Sequence, residues 1–118
     1  MTAIYIYDLI VPIWEHLLAY ARKLIQMKLI GKGVLNDFKR SYPNVGSQID
    51  ALQAEIEEAE WNTPLDLKKR YVTASILSKN HVVFNIKGNK YRVLAQVNYQ
   101  GKIVLIKKAG THAEYDSW

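Results

Sequence analysis

Residues 81–109 read HVVFNIKGNKYRVLAQVNYQGKIVLIKKA, and this stretch decides the fold. Three runs rich in Val, Ile, Leu, Phe and Tyr are separated by two short segments that contain glycine, residues 87–90 and 99–102. Alternating apolar residues broken by short glycine turns are typical of β-hairpins, so we predict an antiparallel meander of three strands. A polar tail, residues 110–116, follows the third strand.

The turns also predict how these strands pair. With two central residues in each turn, Asn85 lies opposite Arg92, and Leu94 lies opposite Lys107. One face of the sheet is then apolar and should be buried, whereas the other is half polar and carries the cations Arg92 and Lys107. The apolar face comprises Val82, Phe84, Ile86, Tyr91, Val93, Ala95, Val97, Val104 and Ile106.

Length and composition limit the class of protein. The chain has 118 residues, enough for one domain with a single core. It has no cysteine and only three scattered histidines, so we expect neither a disulfide nor a metal site, and no cofactor. Residues 61–118 contain ten bases and three acids, a net charge of +7, while the whole chain carries +5. This surplus favours an anionic partner such as nucleic acid, with a solvated surface as the alternative.

An N-terminal extension, residues 1–26, precedes the predicted domain of residues 27–118. Ile13, Leu17 and Leu24 repeat at helical spacing. Charged residues interrupt every window long enough to cross a membrane, and the basic start of a secretory signal is missing. We interpret the extension as an accessory helix or as the product of an upstream start codon, with attachment to a membrane surface as a further alternative. We expect no membrane partner and a cytoplasmic location.

The segment between the extension and the meander predicts helices. Residues 27–30 form a possible edge strand, and apolar stripes indicate helices over residues 34–42 and 47–61. Residues 63–66, TPLD, combine an N-cap, a proline at the first position and an acid in the first turn, so a short third helix starts there. We predict an α+β fold in which two N-terminal helices pack on one face of a small curved antiparallel sheet. The other face stays open and basic.

Two motifs carry a family resemblance. VFNIKGNKYR at residues 83–92 and GTHAEYD at residues 110–116, together with residues 61–71, resemble the HigB toxins of bacterial toxin–antitoxin pairs. The resemblance covers residues of about 27 to 118 and implies a RelE-like fold. It also implies a metal-independent, ribosome-associated mRNA endonuclease that is neutralised by a helix-turn-helix, HigA-like antitoxin. Residues 1–26 depart from the family pattern.

The residues themselves suit RNA cleavage without a metal. That reaction needs a base for the ribose 2′-OH proton, cations for the phosphate and an acid for the leaving 5′ oxygen. Histidine titrates near neutral pH, so His112 and Glu114 are candidates for the acid and the base, in an order that the sequence leaves open. Arg92 suits bidentate phosphate contact, Lys107 can assist it, and Tyr115 can stack on a base or donate a hydrogen bond. The predicted catalytic residues are His112, Glu114, Arg92, Tyr115 and Lys107.

A second predicted group binds RNA without reacting. Its members lie near the first turn, at the end of the third strand, or at the basic end of the short helix, where cations also suit the helix dipole. The group comprises Asn85, Lys87, Lys90, Lys108, Lys68, Lys69 and Arg70. The alternative function is a non-catalytic basic RNA- or ribosome-binding module, in which Arg92, the lysines and Tyr115 bind and His112 is structural. A separate structural interpretation is an ion pair between Arg92 and Glu114 that ties the tail to the sheet.

Overall fold

The fold combines helices with one five-stranded sheet. A computed structural model describes the backbone of residues 2–118 and the side chains of residues 13–118. In chain order, the elements are α1 (Thr2–Ile25), β1 (Lys28–Ile30), α2 (Lys32–Ser41), α3 (Gly46–Glu58), α4 (Pro64–Arg70), β2 (Ser75–Ile76), β3 (His81–Ile86), β4 (Tyr91–Asn98), β5 (Ile103–Thr111) and α5 (His112–Tyr115). The predicted α+β class is confirmed.

The strands follow the order β1-β5-β4-β3-β2. β3, β4 and β5 form the predicted antiparallel meander, and β2 adds a short antiparallel strand beside β3. The predicted edge strand is present as β1, but it pairs in parallel with β5, with Leu29 opposite Val104. The sheet is therefore mixed rather than wholly antiparallel, and the connection between β1 and β5, which includes three α-helices and three strands, is long enough for the parallel pairing.

The predicted pairing is confirmed in the first hairpin and only in part in the second. Asn85 lies opposite Arg92, as predicted. The predicted pairing of Leu94 with Lys107 is wrong, because Leu94 lies opposite Lys108. The register shifts between Leu94 and Ala95, where a β-bulge makes Lys107 an extra residue in β5.

The core lies between the sheet and the helices α2, α3 and α4. Every member of the predicted apolar face is buried except Tyr91, which is half-buried. The Tyr91 ring packs against Phe38 and Tyr42, with centroids 5.7 and 5.2 Å away. The helices contribute Leu35, Phe38, Ile49, Leu52, Ile56 and Leu67 to the same core.

The start of α4 confirms the predicted cap. The Thr63 hydroxyl accepts a hydrogen bond from the Asp66 amide at 3.3 Å, and the Asp66 carboxylate accepts one from the Thr63 amide at 3.2 Å. The backbone amide of Asn62 also donates to this carboxylate, and these bonds hold the pKa of Asp66 below its usual value. The local sequence alone therefore fixes where this helix begins.

Gly31 joins β1 to α2 at a position that only glycine fits. Its φ is +96°, in the left-handed region. A Cβ atom there would lie 2.5 Å from the backbone oxygen of Ile106 in β5. The close approach of the α2 start to β5 therefore depends on the missing side chain.

Most of the extension forms the helix α1, whose side chains before Ile13 lie outside the described residues. From Ile13 to Ile25 every side chain is exposed, including Trp14 at 61% and Leu17 at 56%. No helix in the part of the chain that the structure describes has the length and apolarity needed to cross a membrane. The division between residues 1–26 and 27–118 stays a prediction.

Because the described side chains of α1 are exposed, we expect them to contribute little to the free energy of unfolding. We expect Leu17→Ser combined with Leu24→Ser to change the free energy of unfolding by less than about 0.5 kcal/mol per site, because exposed side chains contribute little packing. Leu29→Ser, at a half-buried β1 residue that packs against the core, should lower it by about 1 kcal/mol. Urea denaturation of both variants measures this, and a large loss in the α1 variant would mean that α1 packs on the domain.

Candidate active site

Arg92 is the centre of a cluster on the open face of the sheet. The side chain is half-buried on β4, opposite Asn85 of β3 and Gly110 of β5. Its guanidinium lies 4.5 Å from the centroid of the Tyr115 ring, which is cation–π geometry. The same group donates from Nη2 to Nδ1 of His112 at 3.0 Å. The structure therefore brings together three of the predicted catalytic residues.

The contact with Arg92 fixes the protonation pattern of His112. Arginine can only donate hydrogen bonds, so Nδ1 of His112 accepts and carries a lone pair. The neutral ring then has its proton on Nε2, which lies 3.8 Å from the Asp116 carboxylate. We assign this tautomer from the hydrogen-bond network. The Asp116 carboxylate thus lies near one side of the imidazole, beyond hydrogen-bond distance, while the other side presents a lone pair toward Arg92.

Two buried polar atoms beside this cluster lack protein partners. Among the described side chains, Nε of Arg92 and Oδ1 of Asn85 are both buried without a hydrogen bond. The amide nitrogen of Asn85 is used, since it donates to the Thr73 carbonyl at 2.7 Å. A buried polar atom without a partner is destabilising, so these two atoms mark a place where the fold tolerates a cost in stability.

Lys107 reaches the same face through the β-bulge and contacts a residue that sequence reasoning did not place in the site. Its ammonium donates to Nε2 of His81 at 2.9 Å. Nδ1 of His81 lies 3.1 Å from the Ser78 carbonyl and donates to it. These two contacts assign to His81 the tautomer with the proton on Nδ1 and the lone pair on Nε2. The sequence offered no signal for this pair, because Lys107 and His81 are brought together only by strand pairing.

Glu114 points away from this cluster. Its carboxylate accepts hydrogen bonds from the Thr111 hydroxyl and the Tyr42 phenol, both at 3.2 Å. The bond to Glu114 raises the pKa of Tyr42, so the phenol stays protonated and remains a donor. Glu114 therefore ties α5 to the end of α2, and its contacts are with these hydroxyls rather than with Arg92.

The short turn α5 is held across the end of the sheet by several contacts. The His112 amide donates to the Lys90 carbonyl at 2.9 Å. The Thr111 hydroxyl caps the turn by accepting from the Glu114 amide at 3.2 Å. Gly110 leaves room for the tail, because a Cβ there would lie 2.7 Å from the Glu114 carboxylate and 3.2 Å from the Trp118 ring. These contacts position His112 and Tyr115 over Arg92.

The predicted RNA-binding residues divide into two groups. Asn85 and Lys108 lie on the open face, and Lys87 and Lys90 are exposed on the adjoining β3–β4 turn. The residues of α4 lie on the helical side of the sheet, where partners already engage two of the three. Lys68 donates to the Ala74 carbonyl, Arg70 pairs with Glu55, and Lys69 is exposed.

Fold and site together define a class: a small α+β domain with a cationic, histidine-bearing site on an open sheet face. Residues 36–118 match the HigB toxin family, the RelE-like toxic component of a toxin–antitoxin system. The matched region includes every residue of the cluster around Arg92. The chain belongs to this family, and a cognate antitoxin is therefore its partner.

Curated relatives carry the same family name. The chain is 28% identical over 92 residues to an mRNA interferase HigB of Escherichia coli O6:H1, covering 76% of this chain and 89% of the relative. It is 32% identical to an mRNA interferase toxin HigB of Escherichia coli K12 over the same length, covering 76% and 88%. An mRNA interferase HigB of Shigella flexneri matches with the same identity and coverage.

Proposed function

We propose that this toxin is an endoribonuclease that cleaves mRNA without a metal ion. The observation that carries the proposal is the contact between Arg92 and His112, at 3.0 Å, on the open face of the sheet, which places a cation that can hold a phosphate beside an imidazole that can accept a proton. The names of the curated relatives, which are mRNA interferases, support mRNA as the substrate.

In the proposed reaction, phosphate binding and base activation are coupled. A phosphate that binds Arg92 competes with Nδ1 of His112 for the guanidinium and so frees the lone pair of the imidazole. Nδ1 then accepts the proton of the ribose 2′-OH, and the Asp116 carboxylate, 3.8 Å from Nε2, stabilises the imidazolium that forms. The 2′ oxygen attacks phosphorus, the bond to the 5′ oxygen breaks, and a 2′,3′-cyclic phosphate forms.

Lys107 and His81 are proposed to complete the reaction. The Lys107 ammonium adds positive charge beside the phosphate and donates a proton to the leaving 5′ oxygen. His81 fixes the direction of that ammonium through the bond to Nε2. Tyr115 orients the guanidinium of Arg92 through the contact with its ring, and Glu114 acts as a positioning residue that anchors α5 to Tyr42.

The lysines around the Arg92 cluster support RNA as a binding partner. Lys87, Lys90 and Lys108 extend the positive surface beside Arg92 and suit the RNA backbone, whereas Lys69 on α4 offers a separate contact.

We propose that cleavage takes place on the ribosome in the cytoplasm, and that the antitoxin is a helix-turn-helix, HigA-like protein. We also propose that residues 27–118 are the toxin domain and residues 1–26 an addition to it, because the family match and the core both lie after α1.

The test is induced synthesis of the full-length chain in a bacterial host, with growth and mRNA integrity followed together. We expect growth arrest with fragmented mRNA, and loss of both effects when Arg92→Ala and His112→Ala are combined. The matched control replaces one histidine and one arginine on the exposed side of α1, His16→Ala with Arg22→Ala, and should remain toxic.

The outcomes separate the enzyme from a binding module. Growth arrest with intact mRNA would favour a protein that binds RNA or the ribosome without cutting. Healthy cells that contain soluble, folded wild-type chain would overturn the toxin function itself. Addition of a chelator to the purified chain tests the metal independence, because the proposed reaction should continue unchanged.

A further inference from the structure

A cavity adjoins the Arg92 cluster on the open face of the sheet. It has a volume of about 480 Å³, within the roughly 300–1,000 Å³ range of small-molecule pockets. It lies between the start of β3, the middle of β4 and the chain that follows α5. Leu77 and Leu94 supply aliphatic walls, and Tyr115 and Trp118 supply aromatic ones.

The aromatic wall suits a flat ligand. The rings of Tyr115 and Trp118 meet edge to face, with centroids 5.5 Å apart and planes at 80°. Trp118 is half-buried, and the Lys108 ammonium lies 5.9 Å from the centroid of its ring. Proteins that bind single-stranded RNA stack its bases on aromatic side chains and contact its backbone with cations.

Polar groups at the rim complete the site. Asp116 lines the cavity, and its carboxylate can accept N–H groups from the edge of a base. His81 also lines it, and the Lys107 ammonium is bonded to the ring of this histidine. The cavity therefore has apolar walls with a few polar groups on one side, which is the usual design of a specific ligand pocket.

The cavity shares a wall with the proposed reaction site. Tyr115 contributes to both, since it lines the cavity and lies against the Arg92 guanidinium. We propose that this cavity binds an unpaired nucleobase of the RNA, next to the phosphate that Arg92 holds. The inference rests on the proposed function for the identity of its ligand, and it makes Trp118 a specificity-determining residue.

The experiment follows the indole N–H signals of the full-length chain by NMR, in a His112→Ala background that stops cleavage. The chain contains three tryptophans, and Trp14 on α1 and Trp61 in the core serve as internal references. The probes are a short single-stranded RNA and the same RNA with one abasic nucleotide. We expect the Trp118 signal alone to shift, with the intact RNA and much less with the abasic one.

Substitution of Trp118 measures the size of the effect. Base–aromatic stacking contributes about 1–3 kcal/mol per base, so Trp118→Ala should weaken RNA binding about 5- to 150-fold, and Trp118→Phe should restore most of it. An unmoved Trp118 signal, equal binding of the abasic RNA, or no binding of either probe would overturn the inference. Cleavage by the wild-type chain together with an unchanged Trp118 signal would reject the nucleobase pocket and retain the proposed nuclease activity. A shifted Trp118 signal with no cleavage by the wild-type chain retains the pocket and rejects the nuclease.

Discussion

Purified chain carrying His112→Ala is expected to cleave RNA about 10²–10⁴-fold more slowly than the wild type, the usual cost of removing a general base. The ring is exposed and lies at a turn, so the variant should keep its thermal stability. RNA affinity should be retained, because Arg92 and the lysines remain. Single-turnover cleavage and binding to a non-cleavable 2′-deoxy oligonucleotide measure the two quantities separately.

His16→Ala is the matched control for this experiment, because it removes another exposed histidine from α1. It should leave the cleavage rate unchanged. An unchanged rate in His112→Ala would remove His112 from the mechanism. Equal losses of rate and affinity would instead point to a binding role, since a residue that acts only in the chemical step lowers the rate constant alone.

Gly31→Ala is expected to lower the free energy of unfolding by about 2 kcal/mol or more. The left-handed backbone conformation costs an L-residue about 1–2 kcal/mol, and the new Cβ would also meet the Ile106 backbone oxygen at 2.5 Å. That oxygen belongs to a strand of the sheet, so it cannot move without disturbing β5. Urea denaturation measures the loss.

Gly33→Ala provides a control only two residues away. Gly33 lies within the first turn of α2, and its added Cβ meets nothing within 4 Å. Alanine should therefore stabilise the chain by about 0.4–1 kcal/mol, because it restricts the unfolded state and favours the helix. Equal effects of the two substitutions would show that the Gly31 backbone is not constrained as described.

Most of the fold follows from local patterns, and what does not follow depends on tertiary contacts. The pairing of Asn85 with Arg92 was predictable because a short turn sets the register of the strands beside it. The displacement of Lys107 was not, because two consecutive lysines fit either register equally well. The parallel pairing of β1 with β5 was also beyond the sequence, since β1 has three residues and its partner lies more than 70 positions later.

The candidate site was predictable in its centre and not at its edges. Arg92, His112 and Tyr115 lie in the two motifs and meet in the structure. Glu114 turns toward Tyr42 instead, because that contact depends on how α2 ends against the sheet. The contact between His81 and Lys107 could not be predicted, because a histidine at the start of a strand gives no sign of a lysine bonded to it across the sheet.

The β-bulge at Lys107 divides β5 into two halves. The alternation of inward and outward side chains in one half is set independently of the alternation in the other. The first half, paired with β1 and β4, carries Val104 and Ile106 into the core. The second half leads into α5, and its phase decides which way the tail faces. Deleting the one extra residue would restore a regular ladder and remove one of two adjacent cations, while the buried residues on either side keep their partners. The insertion or deletion of one residue can thus change the number of cations on the face proposed to bind RNA, while the packing of the core stays the same.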